Sequence, residues 1–556
     1  MKRLIALFVV VGVGLAGCVG IPTSGGVTAG GVIGTESDPI YALLPSGPQD
    51  DAPQDEIVTG FINAATNPQG NYEVAREFLS KDFASSWKPN TTTQIRSGTG
   101  IPQEVTETSY TYSMISSAFV DASGQYFEQP SATQVLDFTL VQDAKKQWRI
   151  SSAPDGIVLS REAFSTIFEP RPLYFYDSTF QYLVPDIRWF ARTDLQATRL
   201  VSALLAGPSP LLQKGVTNSE FPTGTTLASS VVIDSGTATV DLSDDALAAT
   251  PAKRERMQEQ LKETIGGSVS TVTITVQGVA IDVPDTGSPP AITDPSVLGQ
   301  PLVRTEDAFG FLTASGSVSA VTGQSADIIA LGGVAVTLAS DRKSSAVLTP
   351  TGVYSIFSDG TDPLLVDKRG GLAAPSIDNL GFTWSVPSND VHGLTAFDKK
   401  GTAYPIDTTA LPDAEVTSFA VSREGTRVLL LLSTDVGPKL FVAGILRPDS
   451  VPNALGTAVE LGLDESTHPV SATWVDASTV ATVTTGTNDS FSTATAYQLG
   501  GQVTSLGRVL GGTQIVGGNG GVDGLRVLGA EGHIYSPRGI SWVDTSDVVS
   551  FLGTQQ

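Results

Sequence analysis

SFAVSREGTRVLLLL, Ser418 to Leu432, is the stretch that decides the fold of the larger part of this chain. An apolar run leads into a polar, acidic turn and a second apolar run leaves it, the pattern of two short strands joined tightly. The theme returns in VTLASDRKSSAVL (Val336 to Leu348) and SATWVDASTVATV (Ser471 to Val483). It returns more weakly in APSIDNLGFTWSV (Ala374 to Val386) and LRVLGAEGHIY (Leu525 to Tyr535). The turn acids Asp341, Asp378, Glu424, Asp476 and Glu531 follow one another at about 37, 46, 52 and 55 residues, close to the roughly 40 to 50 of propeller blades. Residues 301–556 therefore read as an all-β propeller of six blades, with five or seven as the neighbouring counts and a two-sheet sandwich as the alternative.

Upstream, helical periodicity reappears. Residues 285–300, opening with Asp285-Thr286-Gly287-Ser288-Pro289-Pro290, read as a linker. Before it, 172–284 reads as a compact α+β domain. Thr193-Asp194-Leu195-Gln196 has the form of a capping box, followed by an apolar face of Ala197, Leu200, Val201, Leu204 and Leu205 that Gly207-Pro208 ends. Ser230 to Ser243 predicts a hairpin turning at Asp234-Ser235-Gly236. Thr250-Pro251 is an N-cap and first-turn pair for a second helix carrying Met257, Leu261 and Ile265, closed by Gly266-Gly267. Val272, Ile274 and Val276 alternate in a last strand.

Residues 51–160 run helices first, then strands. Ile57, Phe61 and Ala65 share one helical face, and Tyr72 to Leu79 repeats the idea before Trp87. Strand patterns follow at Ser109–Ser116, Ser131–Val141 and Trp148–Ile150, so helices on one face of a curved antiparallel sheet, a cystatin-like α+β cone, are expected. Val19 to about Asp50 holds no periodicity and reads, with Cys18, as a flexible tether over 18–50.

The chain starts with Met1-Lys2-Arg3 and an apolar run from Leu4 to Leu15, a secretory signal over 1–17 too short for the roughly 20 residues that cross a bilayer. It ends in Leu15-Ala16-Gly17-Cys18, which resembles a bacterial lipobox. Cys18 is the one cysteine, and a thiolate is the side-chain nucleophile that accepts a diacylglyceryl group; its freed amine can then take a further chain such as palmitate. Two or three acyl chains, at about 0.8 kcal/mol per buried methylene, hold a protein on a membrane where one chain binds marginally. With Cys18 consumed no disulfide is available, so the cores must be large enough to do without one. A GxGxxG string at Gly12 to Gly17 lies inside the signal and lacks the strand and helix of a dinucleotide site.

The formal net charge is −24, and loss of Lys2 and Arg3 with the signal takes the mature chain two charges further. Such a surface repels phosphate backbones and anionic headgroups, so nucleic acid is excluded as a partner and the protein stands off the bilayer. His392, His468 and His533 are scattered beyond metal-ligand spacing, and no HExxH, GxSxG or GxxxxGK[ST] motif is present. Gly517-Gly518-Asn519-Gly520-Gly521-Val522-Asp523 approaches a calcium repeat but displaces its aspartate and occurs once. PSPLLQKG (Pro208 to Gly215) reads as a loop after the first helix, and Lys253-Arg254-Glu255-Arg256 as a solvated helix face. No catalytic residue, metal site or cofactor is assigned, and the chain reads as a non-enzyme.

The lipobox, the CVGIPTSG that follows, AREFLSKDFASSW (Ala75 to Trp87) and FPTGTTLASSVVIDSGTATVDLS (Phe221 to Ser243) resemble the actinobacterial LpqB lipoprotein family over essentially the whole chain, the last resembling its GerMN module. The resemblance implies a lipoprotein on the outer face of the cell membrane, attached at Cys18. It further implies a partner, the extracellular domain of the sensor kinase MtrB in the MtrA/MtrB two-component system, with effects on cell-wall homeostasis and division. The alternative from another class is a cell-wall glycan binder or propeller hydrolase, which acids with Trp384, Trp474 or Trp542 around one funnel mouth would favour.

Overall fold

The computed structural model describes residues 45–213, 215–463, 467–485 and 490–556; the signal segment, Cys18 and the tether to residue 44 lie outside them. The chain opens with α1 (Gln54–Ala64), whose Ile57, Val58, Phe61 and Ile62 are buried, followed by two short helices, α2 (Glu73–Glu77) and α3 (Lys81–Ser86). The single helix expected over Tyr72 to Leu79 is cut short. Tyr72 takes a left-handed conformation before α2, and the Ser80 side chain accepts from Phe83 N to start α3.

Five strands follow: β1 (Thr92–Thr106), β2 (Ser109–Asp121), β3 (Tyr126–Gln142), β4 (Trp148–Ser152) and β5 (Ile157–Ser160), in the order β4-β3-β2-β1-β5. All neighbours are antiparallel except β5, which runs parallel to β1. The helices cover one face, where Phe61, Trp87, Phe138, Leu140 and Ile150 form the core. Sequence patterning misses β1 because its residues are mostly polar and its register slips between Ser97 and Ile101, where Gly98 turns the strand at φ +67°. Ser160 caps α4 (Arg161–Ile167), whose Phe164 packs into this core. A two-stranded hairpin, β6 (Phe168–Tyr176) and β7 (Leu183–Ala191), leads out of the domain.

The second module holds α5 (Gln196–Ala206), β8 (Val232–Asp234), β9 (Thr237–Leu242), α6 (Pro251–Ile265), β10 (Thr271–Val276) and β11 (Val279–Ala280), with sheet order β11-β10-β9-β8. The β9 and β10 strands are parallel, so α6 is their crossover; its Met257, Leu261 and Ile265 pack on Val240 and Ile274. The Thr250 side chain accepts from Lys253 N, and Pro251 fills the first helical position. Thr250→Ala is expected to cost about 1 kcal/mol of stability, read by denaturant unfolding, because one first-turn N–H loses its acceptor. The capping box expected at Thr193 does not form. Helix α5 begins at Gln196 with Leu195 at the cap and no side-chain cap bond, and the Gln196 amide instead donates to Glu169 at 2.8 Å.

From residue 302 onward the fold is almost entirely β. Leu302–Arg304, Phe309–Leu312 and Val318–Ala320 are completed by the last strand, Phe551–Gln555, which pairs antiparallel with the first of them and parallel with Ala335–Leu338. The other strands, among the described residues, pair antiparallel in fours led by Ala335–Leu338, Ser376–Ile377, Glu415–Val421, Pro469–Trp474 and Gly512–Val516, the last two groups being joined at their outer strands by one parallel pair, Arg508 with Ser541. These leading strands touch one another in order, and Phe551–Gln555 touches both Gly512–Val516 and Ala335–Leu338, so the ring closes by pairing its two ends. Asp341, Asp378, Glu424 and Asp476 all lie in the turn after a leading strand. Glu531 does not: it lies between Arg526–Gly529 and His533–Arg538, one turn out of phase, and the glycine-rich Gly517 to Gly524 segment occupies the equivalent place. The 285–300 segment is docked, with Ile292 bridging to Tyr182 and Gln555 holding Leu298 through both backbone groups.

Candidate functional site

All nine residues of β7 are buried, including the charged Asp186 and Arg188. Burying a charge is costly unless it is paired and hydrogen-bonded, so these two identify what the strand holds. Arg188 Nη2 meets Asp186 Oδ2 at 2.8 Å, and Arg188 Nη1 donates to the Ser123 carbonyl at 2.9 Å, reaching the β2–β3 turn of the first module. Asp186 also accepts from Ser209 N at 2.7 Å, at the end of α5's following loop in the second. Next to them Trp189 N donates to the Gly124 carbonyl, and Trp189 Nε1 donates to the Gly500 carbonyl of the propeller at 2.9 Å. Its ring packs 4.8 Å from Phe164 and 5.7 Å from Tyr126. One strand thus ties all three modules. Sequence reading missed it because, within 172–284, it began at the helix after Thr193 and passed over the residues before it; the signal was an Asp and an Arg inside the apolar run LVPDIRWFA.

The Pro208 to Gly215 loop makes the second tie. Leu211, Leu212 and Val216 are buried with Leu440, Val442 and Tyr497, wedged where two neighbouring four-stranded groups meet. Gly444 permits this approach, since a Cβ there would run into the Leu211 carbonyl and Val216. The loop read as ordinary is a docking element. Nor is the Lys253-Arg254-Glu255-Arg256 face solvated throughout: Arg256 pairs with Glu220 at 3.0 Å and lies 4.0 Å over the Phe180 ring, and Arg254 donates to the Ala249 and Asp282 carbonyls.

Inside the propeller two of the turn acids, Glu424 and Asp378, are paired with arginines. Glu424 receives Arg427 Nε and Nη2 at 2.8 and 2.6 Å and the hydroxyls of Ser422 and Thr426. Burial works against its charge, but Arg427 and the two hydroxyls outweigh that and hold its carboxyl below the usual range. Asp378 accepts from Arg447 at 2.6 Å and from Trp384 Nε1 at 2.9 Å. Arg423 donates to the Gly518 and Pro295 carbonyls and so fastens the 285–300 segment to the ring. Beside it, burial and then the Asp476 charge raise the Asp294 carboxyl.

The tryptophans that a sugar-binding mouth would need are structural. Trp384 and Trp474 are 0% and 3% exposed, and Trp474 and Trp542 donate to the Ala420 and Leu506 carbonyls. His392 sits between Thr408 and Asp413, His533 beside Asp544, and His468 is exposed, so the three are not brought together. Among the described residues no group of three metal-ligating side chains occurs, and no helix is long and apolar enough to cross a membrane. Two clefts flank β7. One of about 530 Å³ lies between the first module and α5, and one of about 520 Å³ lies between Phe127, the Leu211 loop and the propeller's Val459 and Val503.

Two α+β modules locked to a closed all-β ring define a multidomain propeller protein. A family model described as the N-terminal domain of lipoprotein LpqB matches residues 47–165, one described as sporulation and spore germination matches 172–282, and one described as the LpqB β-propeller domain matches 311–550. The LpqB lipoprotein of Mycolicibacterium smegmatis is 26% identical over 521 residues, 85% of each chain. That of Cutibacterium acnes is 25% identical over 452 residues, 79% of this chain and 74% of the relative. The first GerMN domain of the sporulation protein GerM from Bacillus subtilis is similar at 22% identity and a TM-score of 0.18, over 22% of this chain and 97% of that one. With LpqB family models matching both its N-terminal module and its propeller, and LpqB relatives aligned over most of its length, the chain belongs to the LpqB lipoprotein family, and so to the membrane-anchored proteins of the cell envelope.

Proposed function

We propose that this protein is held on the extracytoplasmic face of the cell membrane by lipid on Cys18, and that there it binds the extracellular domain of the sensor kinase MtrB. Through that contact it modulates the MtrA/MtrB two-component system and thereby cell-wall homeostasis and division. The observation that carries the reading is the buried tie through β7, where Asp186, Arg188 and Trp189 join all three modules. A tethered modulator must present a fixed surface to a sensor, and modules coupled by buried, geometrically specific polar contacts do so where linked domains free to swing do not. The family supports the partner, and the strongly acidic surface supports standing off the bilayer at the height of a sensor domain.

Binding shifts a two-state kinase only by the difference in affinity for its two states. The test is calorimetry of the ectodomain from residue 45 against the isolated MtrB extracellular domain at physiological salt. Saturable heat at micromolar affinity or tighter is expected. Absence of heat and of co-elution up to about 100 μM, a contact weaker than roughly −5.5 kcal/mol, contradicts the reading.

A further inference from the structure

We infer that the cleft between the first module and α5 is a binding site for a small ligand with an anionic head group and an apolar body. Its volume of about 530 Å³ lies in the range of ligand pockets, and it sits at a domain junction, where such pockets concentrate. One stripe of α5 forms a wall: Arg199, Ser202, Ala203 and Ala206 are spaced 3, 1 and 3 residues apart and all face the cleft. The opposite wall holds Trp189 and the β2–β3 turn.

The charge balance in the cleft selects the ligand. Asp121 is the acid lining it, and its carboxylate is turned onto its own turn, accepting from Ser123 N, Ser123 Oγ and Gln125 N at 2.7 to 2.9 Å. Arg188, 2% exposed, forms part of the lining, and its Nε has no hydrogen-bond partner although both terminal nitrogens are used. The half-buried Arg199 guanidinium has neither a hydrogen bond nor an ion pair among the described residues. A protein of net charge −24 thus keeps a free guanidinium in a walled cleft, and a planar fork of donors fits a carboxylate or a phosphate. The helix also sets the orientation. The last carbonyls of α5, at Ala206, repel an anion, so the head group lies at Arg199 and the apolar body runs along Ala203 and Ala206 toward Pro208. This site is independent of the kinase contact.

The probes are butyl phosphate, butyrate and the neutral butyramide, titrated against the full-length chain in dilute detergent by saturation-transfer NMR. At least one anion is expected to bind saturably and at least tenfold tighter than butyramide, and whichever anion is tighter distinguishes a phosphate from a carboxylate head group. Arg199→Ala is expected to weaken that anion at least tenfold, with Arg199→Lys intermediate and the thermal midpoint of the protein unchanged. The proposal is overturned if neither anion saturates by about 10 mM, if butyramide binds as well, or if Arg199→Ala binds like the native chain.

Discussion

Arg427→Ala lowers the stability of the propeller by about 3–5 kcal/mol at pH 7, because it leaves the Glu424 carboxylate buried without its counter-charge. Arg427 is 1% exposed, makes two hydrogen bonds to one Glu424 oxygen, and lies 5.0 Å over the Trp474 ring, so solvent cannot replace it. The pH dependence carries the sign. In the native chain the Glu424 carboxyl is held below its ordinary value, so its contribution is present above the unfolded pKa and is lost as pH falls through the lower folded value. Without Arg427, burial is opposed by the two hydroxyls, a backbone N–H and the more distant Arg423, the carboxyl rises, and the variant recovers part of its loss by taking up a proton as pH is lowered from 7 toward the ordinary carboxylate range. Denaturant unfolding at pH 7 and in that range measures this. An equal deficit at both would mean that lost packing, and not the stranded charge, sets the cost.

Trp189→Ala is expected to cost about 3–5 kcal/mol, the range for deleting a buried aromatic. The loss falls at the junction, since the ring packs on Phe164 and Tyr126 while its Nε1 holds the Gly500 carbonyl. Hydrogen exchange should speed up in the Asp121 to Gln125 turn and along β7, with the leading strands of the propeller unchanged. Trp189→Phe keeps most of the packing and removes the one hydrogen bond, and about 1 kcal/mol is expected. If both variants unfold in step with the whole propeller and no local change precedes it, the junction is not a separable element.

The parts of the fold legible in sequence are those whose pattern is local. Ser418 to Leu432 reads as strand, turn, strand because every residue that makes the pattern lies within fifteen positions, and the helix after Thr250-Pro251 reads correctly for the same reason. What escaped is set by distant partners. The polar β1 is a strand because β2 and β5 flank it, Gln196 leaves its capping role because Glu169 recruits it, and the Leu211 loop is a wedge because Gly444 leaves room for it. LRVLGAEGHIY misled for a related reason: a strand-turn-strand pattern does not say which pair of strands in a group it joins. The junction at β7 was the least legible. Its two charges lie two residues apart and pair with each other, but the turn, the loop and the propeller carbonyl that satisfy and surround them come from up to 311 residues away.

On the proposed function, this lipoprotein shifts the sensor kinase between two states through a fixed ectodomain. The direct measurement is the autophosphorylation rate of full-length MtrB in lipid vesicles, with the lipidated protein titrated into the same membrane. A saturable, fivefold or larger change in one direction is expected, corresponding to a difference in affinity of about 1 kcal/mol or more between the kinase states. The change is expected to diminish when Trp189→Ala loosens the junction. A rate that stays constant while binding is shown to be complete would contradict the proposed function, because a ligand that binds both states equally shifts neither.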